Sequence, residues 1–319
     1  MTAFHRELYP QARLVPRSVH PGLIVRLLRL REALRRSPKT FRVPLVDGVM
    51  VKDVLLPTSD GAHSIRVRFY RPERLRSPIP AMLWLHGGGF VMGDSEIDQD
   101  NNVAIVRETG IAVAAVNYRL APGHPFPAPI EDCYTALRWL HAEAKGLDVV
   151  PERIAIGGAS AGGGLAAGLA LMALDRNEVP VAFQLLIYPM LDDRTAIRTD
   201  IDLSGVRLWN NECNQFGWTS YLRISPGSGN VHPYAAPARR ESLSGLPPAW
   251  IGVGTFDLFH DEDVTYAKRL RDSGVACELR VVAGAYHAFD RFSPKANVVK
   301  RFRQSYINAM KDALFGGLP

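Results

Sequence analysis

The sequence predicts an α/β fold in which a mostly parallel sheet carries helices on both faces. Short, almost wholly apolar runs alternate along the chain with segments of helical periodicity. Strands without a polar face are typical of a parallel sheet that is buried on both sides. Hydrophobic residues make up 47% of the 319 residues and charged residues 22%, so we expect a large buried core and no extended disorder.

The predicted elements follow in chain order. Residues 49–55 and 64–70 are predicted strands joined by a turn at 59–61, and they should form an antiparallel edge of the sheet. Further strands are predicted at 81–85, 111–117, 154–157, 183–188, 249–254 and 278–282. Helices are predicted at 101–109, 130–143, 162–174, 263–273 and 297–314.

Two segments lie outside this alternation. Residues 190–246 contain tryptophan, tyrosine and several asparagines, and they separate two sheet strands as an insertion of helical character. Together with residues 1–43 they are expected to form a helical cap over the carboxyl ends of the strands, where open α/β sheets place their sites. Residues 44–189 and 247–319 then form the core domain.

The net charge of +6 is unevenly distributed. Residues 1–42 carry ten basic and two acidic residues, a net charge of +8, while the remainder has a net charge of −2. Within the basic segment, one helical face is apolar, which favours a helix packed on this protein with a solvated basic face. Contact with a membrane surface or a nucleic acid is the alternative. The apolar face consists of Leu23, Ile24, Leu27, Leu28 and Leu34.

The remaining composition bears on compartment and partners. No apolar run approaches the roughly 20 residues of a membrane-spanning helix, and no secretory signal pattern is present, so no stable membrane anchor is expected. The chain has no nucleic-acid-binding motif. Cys133, Cys213 and Cys277 lie far apart without a C-x-x-C pair, which predicts neither disulfides nor a metal site and favours the cytoplasm.

The segment 158–162, Gly-Ala-Ser-Ala-Gly, directly follows an apolar strand and precedes a helix of small residues. A serine on such a tight strand-to-helix turn projects its hydroxyl away from the backbone. The glycines are needed where neighbouring chains approach too closely for a side chain. The segment indicates that Ser160 is a nucleophile at a helix N-terminus, where free N–H groups face a developing negative charge. Taken alone, it is equally typical of a tight turn with an incidental serine.

Other chemically active side chains also follow predicted strands. Asp257 comes after strand 249–254, and His287 lies in the loop after strand 278–282. Because the carboxyl ends of parallel strands meet at one edge, we expect Ser160, Asp257 and His287 to meet there. A serine hydroxyl needs an adjacent imidazole to take its proton. Asp257 would hold the His287 ring in the correct tautomer and stabilise the imidazolium.

The loop after strand 81–85 reads His86-Gly87-Gly88-Gly89. Attack on a carbonyl places negative charge on its oxygen, and backbone N–H groups must already point there. We expect these donors to be the N–H groups of Gly88, Gly89 and Ala161. His86 is not expected to be the base, because the base comes last in the order Ser, Asp, His. We expect it to order the glycine loop instead.

Several other residues allow two interpretations. Asp261 and Asp263 compete with Asp257 for the acid, but together with Glu262 they suit the acidic first turn of a helix. His124 and His260 are expected at the surface or beside the site. An acidic run suggests either a cation site or, more simply, a solvated loop before a helix; it comprises Asp94, Glu96, Asp98 and Asp100. Candidates for either a substrate pocket or core packing are Tyr188, Leu208, Trp209 and Phe289.

Six motifs in order make the chain resemble the hormone-sensitive-lipase-like branch of the α/β-hydrolase carboxylesterases, over about residues 44–316. The motifs are His86–Gly89, Tyr118-Arg119-Leu120-Ala121-Pro122, 158–163, Tyr188-Pro189, 257–262 and Tyr286-His287-Ala288-Phe289. The resemblance implies an eight-stranded α/β-hydrolase sheet with a helical cap. It also implies a serine carboxylesterase that cleaves short- to medium-chain carboxylic esters through an acyl-enzyme, without a cofactor or metal.

The chain departs from the family pattern at three positions. Ala159 stands where relatives of this type often carry an acidic residue, Gly123 where glutamate is usual, and Ala288 where glycine is commoner. We expect these changes to affect loop support and the site mouth rather than the chemistry.

Other functions use the same fold. Lactone, amide or carbamate hydrolysis would use the same residues, and a non-catalytic small-ligand receptor would lack the histidine. Relatives often form dimers through the last strand, which suggests a homodimer through residues 278–282.

Overall fold

The computed structural model describes residues 3–18, 21–23, 26, 30, 43–74 and 77–316. Eight strands form one sheet in the order β1-β2-β4-β3-β5-β6-β7-β8. The pairs β1–β2 and β2–β4 are antiparallel and all others are parallel, so the predicted fold class and antiparallel edge are confirmed. The strands are β1 Val49–Pro57, β2 Ser64–Pro72, β3 Ile79–Leu85, β4 Ala112–Asn117, β5 Val149–Ala159, β6 Phe183–Ile187, β7 Ala249–Phe256 and β8 Cys277–Tyr286.

Helices cover both faces of the sheet. Their bounds are α1 Tyr9–Ala12, α2 Gln99–Thr109, α3 Ala128–Ala142, α4 Ala161–Arg176, α5 Asn211–Leu222, α6 His260–Asp272, α7 Phe289–Phe292 and α8 Asn297–Phe315. Buried side chains of α3, α4 and α6 share one apolar cluster with one face of the sheet. Those of α2 and α8 belong to a second cluster on the opposite face. This two-sided burial explains why the central strands carry no polar face.

The predicted ends of β7 and β8 are too early. β7 continues two residues past Gly254, and β8 continues four residues past Val282. The pairing shifts after Gly254–Val282 and resumes at Phe256–Tyr286, so an irregularity divides the ladder. The predicted strand ends, Gly254 and Val282, coincide with this irregularity. Because both strands continue past it, Asp257 and His287 directly follow their strands.

The segment before β1 and the insertion between β6 and β7 contact each other. The Leu208 N–H donates to the Pro16 carbonyl at 2.8 Å, and the Arg207 side chain donates to the Ala12 carbonyl at 3.0 Å. The insertion contains α5 and two 3-10 segments, Asp193–Ile197 and Pro237–Arg239. Most of the predicted basic helix, with Ile24, Leu27, Leu28 and Leu34, lies outside the described residues. Among the helices of the described ranges, none is long and apolar enough to cross a membrane.

Candidate active site

Ser160 occupies a sharp turn between β5 and α4. Its backbone has φ 57° and ψ −123°, a conformation that costs a non-glycine residue strain. Hydrogen bonds on both sides hold this conformation: the Ser160 N–H donates to the Ile187 carbonyl at 2.9 Å, and the Ser160 carbonyl accepts from Met190 at 3.0 Å. The surrounding backbone therefore fixes where the hydroxyl points.

The two glycines of the pentapeptide are required by close backbone contacts. A Cβ atom on Gly158 would lie 2.4 Å from the Gly162 carbonyl oxygen, and one on Gly162 would lie 2.1 Å from the Leu85 carbonyl oxygen. Neither separation is possible for a real methyl group. The glycines thus let β5, α4 and the end of β3 meet, as the sequence pattern predicted.

Ser160, His287 and Asp257 form a continuous hydrogen-bonded chain at the carboxyl edge of the sheet. Oγ of Ser160 lies 3.0 Å from Nε2 of His287, and Nδ1 of His287 lies 2.8 Å from Oδ2 of Asp257. Their exposed fractions are 7%, 4% and 4%. The Phe259 N–H donates to the other carboxylate oxygen of Asp257 at 3.0 Å, which fixes the carboxylate. This arrangement can move a proton from the serine hydroxyl to the imidazole.

The glycine loop follows β3 and faces the same turn. Gly88 and Gly89 have φ of 127° and 59°, which favour glycine. Within the described ranges, the N–H groups of Gly88, Gly89 and Ala161 have no hydrogen-bond acceptor. Ala161 is the first residue of α4, where N–H groups have no partner within the helix. Three free donors therefore lie on the loops that flank Ser160.

His86 packs inside the glycine loop, as predicted. Its ring stacks on Tyr118 with centroids 4.2 Å apart and planes 9° from parallel. The Tyr118 hydroxyl donates to the His86 carbonyl at 2.7 Å. The loop from β4 thus supports the loop from β3, which holds the glycines in place.

Trp209, from the insertion, lies against the glycine loop. A Cβ atom on Gly89 would lie 2.1 Å from Cη2 of Trp209, so the indole fills the space that a side chain would need. The indole N–H donates to Asn214 of α5 at 3.3 Å. The insertion therefore contacts one of the loops that surround Ser160.

A sequence model of the α/β-hydrolase fold family matches residues 82–291. The chain belongs to this family. The carboxylic ester hydrolase LipN of Mycobacterium tuberculosis is 37% identical over 248 residues, covering 76% of this chain and 64% of LipN. The chain therefore spans less than two thirds of that relative's length. An ethyl acetate hydrolase of Pseudomonas putida is 33% identical over 246 residues, covering 76% of each chain.

A solved structure agrees with this family over nearly the whole chain. The structure of a bacterial heroin esterase is similar with a TM-score of 0.87 and 37% sequence identity, covering 98% of each chain. The family indicated by the motifs is thus confirmed, and so is the eight-stranded α/β-hydrolase sheet.

The competing acids lie in the first turn of α6, and the carboxylate that bonds His287 is that of Asp257. Asp261 is exposed and pairs with His260 and Arg198 at 3.0 and 2.9 Å. Asp261, Glu262 and Asp263 form the acidic first turn of α6, as predicted, and the last two are buried there. The Glu262 carboxyl accepts the Leu191 N–H at 2.7 Å, and so joins α6 to the start of the insertion. Burial raises the pKa of the Glu262 carboxyl well above its usual range.

Asp263 is the most deeply buried of these acids, with an exposed fraction of 0%. Within the described ranges, neither of its carboxyl oxygens has a hydrogen-bond partner. Burial, followed by the nearby charges of Glu262 and Asp257, raises the pKa of the Asp263 carboxyl well above its usual range. Asp263 is therefore a destabilising group beside the site.

The acidic run before α2 is not the solvated loop that the sequence favoured. Asp98 is buried, accepts the Trp84 indole N–H at 2.9 Å and pairs with Arg291. Glu96 pairs with Arg66 at 2.9 Å. The basic partners come from other parts of the chain, so local sequence carried no sign of them. Within the described ranges, no cluster of three or more histidine, cysteine or acidic side chains forms a metal site.

Two residues of the site were not predicted from the sequence: Phe259, which contacts the imidazole, and Asp290, which contacts Tyr188 beside it. The Phe259 ring meets His287 edge to face at 5.3 Å, and Asp290 accepts the Tyr188 hydroxyl at 2.8 Å. Of the candidate pocket residues, Tyr188 contacts His287, whereas Phe289 packs in the core on Phe302 at 4.9 Å. Asp290 lies only three residues after His287, and that proximity was the one available signal.

Proposed function

We propose that this chain is a serine carboxylesterase that hydrolyses short- to medium-chain carboxylic esters. The observation that carries the proposal is the bridge formed by His287 between Ser160 and Asp257, with contacts of 3.0 and 2.8 Å. The carboxylic ester hydrolase and esterases among its relatives support the same reaction class.

In the first half of the reaction, Ser160 Oγ attacks the ester carbonyl while His287 Nε2 takes the hydroxyl proton. Asp257 keeps the imidazole in the tautomer with its proton on Nδ1 and stabilises the imidazolium. The tetrahedral intermediate then collapses, and His287 gives the proton to the departing alkoxide. An alcohol leaves, and the acyl group stays on Ser160 as an ester.

The negative charge on the carbonyl oxygen requires donors that are already oriented. We assign this role to the N–H groups of Gly88, Gly89 and Ala161; the proposal is supported by their place beside Ser160 and by their lack of an acceptor within the described ranges. Such fixed donors act mainly on the transition state and therefore raise kcat.

The second half repeats the first with water in place of the alcohol. His287 takes a proton from water, hydroxide attacks the acyl-enzyme carbonyl, and the proton returns to Ser160 Oγ as the acid leaves. The reaction balances with water as the only co-substrate. No step requires a cofactor.

Short acyl chains are the proposed substrates, on the strength of the ethyl acetate hydrolase and heroin esterase among the relatives. Hydrolysis of lactones, amides or carbamates is the alternative, since the same groups serve any acyl transfer. A series of p-nitrophenyl esters from acetate to palmitate measures the acyl-chain preference. One anilide and one lactone in the same panel test the alternative acyl bonds. We expect the highest kcat/KM with the short- and medium-chain esters and a lower value with palmitate.

The decisive experiment is the Ser160→Ala variant together with covalent labelling by an organophosphonate. We expect wild-type enzyme to be labelled once per chain at Ser160, and the variant to lose ~10³-fold or more in kcat while keeping its fold. Ser244→Ala, at an exposed serine, is the matched control and should retain labelling and activity. Near-wild-type turnover by Ser160→Ala would point to another nucleophile. A wild-type chain that binds esters but is not labelled would point to a receptor.

We further propose that two copies pair through the outer edge of β8. The strand ends the sheet, and Val281 on it is 39% exposed. Among the described residues, the N-terminal segment contacts β8 at Gly284, whose carbonyl accepts the His5 N–H at 3.0 Å. Val281→Arg should convert a dimer to a monomer in analytical ultracentrifugation. A wild-type monomer at tens of micromolar would contradict the pairing.

A cytoplasmic location is the companion proposal. Within the described residues, Cys133, Cys213 and Cys277 form no disulfide, which supports a reducing compartment. The location is tested by fractionating cells that express the protein and measuring in which fraction its esterase activity is found.

A further inference from the structure

His287 is held between two aromatic rings. The Tyr188 ring meets the imidazole at a centroid distance of 4.9 Å and an angle of 65°, and Phe259 meets it at 5.3 Å and 89°. Tyr188 and Phe259 are both buried. The flanking rings limit how far the imidazole can tilt away from its contacts with Asp257 and Ser160.

Tyr188 is itself held by Asp290. The tyrosine hydroxyl donates to Oδ1 of Asp290 at 2.8 Å across 102 residues of sequence. Burial, and then the neighbouring Asp290, raise the pKa of the Tyr188 phenol well above its usual range, so the hydroxyl keeps the proton that it donates. The bond joins α7, which begins two residues after His287, to the residue that follows β6.

The backbone of Tyr188 connects this contact to the nucleophile. The Tyr188 N–H donates to Gly252 of β7 at 2.7 Å, and the preceding carbonyl, of Ile187, accepts the Ser160 N–H at 2.9 Å. The Tyr188 φ of 35° lies in the left-handed region, where a non-glycine residue is strained. Tyr188 therefore has a fixed backbone. The hydrogen bond of its hydroxyl is what then fixes the orientation of the ring.

A cavity of about 340 Å³ lies behind this contact. Ala159 contributes only a methyl group to its wall, while Asp290 and Tyr188 line it together. Removal from water raises the pKa of the Asp290 carboxyl, and the Tyr188 hydrogen bond and the Arg303 charge oppose that rise. Other charged groups that line the cavity are Asp98, Asp100 and Arg291. Asp290, whose carboxylate accepts the Tyr188 hydroxyl, is thus part of the cavity wall.

We propose that Asp290 is a positioning residue for His287, acting through the hydroxyl and ring of Tyr188. Asp290 accepts the hydroxyl, the ring stays against the imidazole, and Nε2 stays in line with Ser160 Oγ. The inference rests on the proposed function. It assigns neither Asp290 nor Tyr188 a contact with the reacting atoms, so their loss should lower kcat rather than weaken substrate binding.

The test uses Tyr188→Phe and Asp290→Ala, which each remove the same hydrogen bond, and Asp290→Asn, whose amide oxygen still accepts it. Hydrolysis of p-nitrophenyl acetate is measured with active sites counted by organophosphonate. We expect Tyr188→Phe and Asp290→Ala to lower kcat about tenfold with KM within about threefold, and Asp290→Asn to stay within about threefold of wild type. The double variant Tyr188→Phe/Asp290→Ala should be no worse than the single variants, because both act on one bond.

Tyr134→Phe is the matched control. Tyr134 lies on α3, and its hydroxyl donates to the Glu178 carboxylate at 2.9 Å. Removal of this hydroxyl should leave kcat unchanged. The proposal is overturned by wild-type kcat in Tyr188→Phe, by additive losses in the double variant, by an Asp290→Asn as slow as Asp290→Ala, or by an equal loss in Tyr134→Phe. An active Ser160→Ala would refute the proposed nucleophile instead, so the two failures are distinct.

Discussion

Nε2 of His287 lies 3.0 Å from Oγ of Ser160, although 127 residues separate them in the chain. Ser160 follows β5 and His287 follows β8, and both strands end at the same edge of the sheet. The two intervening strands, β6 and β7, separate these ends, so the residues that follow β5 and β8 must span the gap. The sheet order brings them to one edge, and the side chains of Ser160 and His287 complete the contact on which the proposed acyl transfer depends.

Replacement of Asp257 by asparagine tests the role of the triad acid. The amide keeps the shape of the side chain but favours the wrong imidazole tautomer, so we expect kcat to fall by about 10³–10⁴-fold with little change in stability. The measurement is steady-state hydrolysis of p-nitrophenyl acetate. Asp261→Asn, on the exposed first turn of α6, is the control and should keep wild-type kcat. Equal losses in the two variants would count against Asp257.

The pH dependence of kcat/KM tests the histidine base. A protonated imidazole cannot accept the serine proton. We therefore expect kcat/KM to fall as the pH is lowered and the imidazole of His287 takes up a proton. Tryptophan fluorescence at each pH verifies that the fold persists. A profile that stays level down to pH 4 is incompatible with this base.

Gly89→Ala tests the glycine loop. The added methyl group would lie 2.1 Å from Trp209, and φ at this position is 59°, so the loop must shift. Displacement of one oxyanion donor typically lowers kcat by about 10²–10³-fold. Gly229→Ala is the control, because a Cβ there meets no atom within 4 Å. Turnover of Gly89→Ala within twofold of wild type, after active-site titration, would remove Gly89 from the proposed oxyanion site.

Asp263→Asn tests the buried, unpartnered acid on α6. Its pKa is raised in the folded protein by burial and by Glu262 and Asp257, whereas the unfolded chain ionises it near pH ~3.9. Below that pH both states are protonated and its contribution is nil. As pH rises, ionisation favours the unfolded chain, so the wild type loses stability that the variant keeps.

We therefore expect Asp263→Asn to match the wild type near pH 4 and to exceed it by about 1–3 kcal/mol at pH 8, in urea unfolding. Asp272→Asn, at the exposed end of the same helix, should change stability by less than about 0.5 kcal/mol at either pH. An advantage of Asp263→Asn that is independent of pH would mean that its ionisation plays no part.

Local sequence was sufficient for the strands, the turn at Ser160 and the order of the site residues. Apolar runs such as β3 and β4 are buried except for one end residue each, as a sheet covered on both faces requires, so the fold class alone accounts for their pattern. The ends of β7 and β8 were misplaced because the pairing irregularity near Gly254 belongs to two strands at once. Likewise, Asp98 seemed solvated until Arg291, from a distant part of the chain, was found to pair with it.

The sequence by itself determined the α/β-hydrolase fold and the candidate residues Ser160, Asp257 and His287. It could do so because each lies directly after, or close to, a recognisable strand, and because close packing demands glycine at 158 and 162. Only the tertiary structure decided that Tyr188 and Asp290 meet beside the imidazole and that Trp209 covers Gly89. These contacts depend on strand register and on packing between segments far apart in the chain, which no local periodicity encodes.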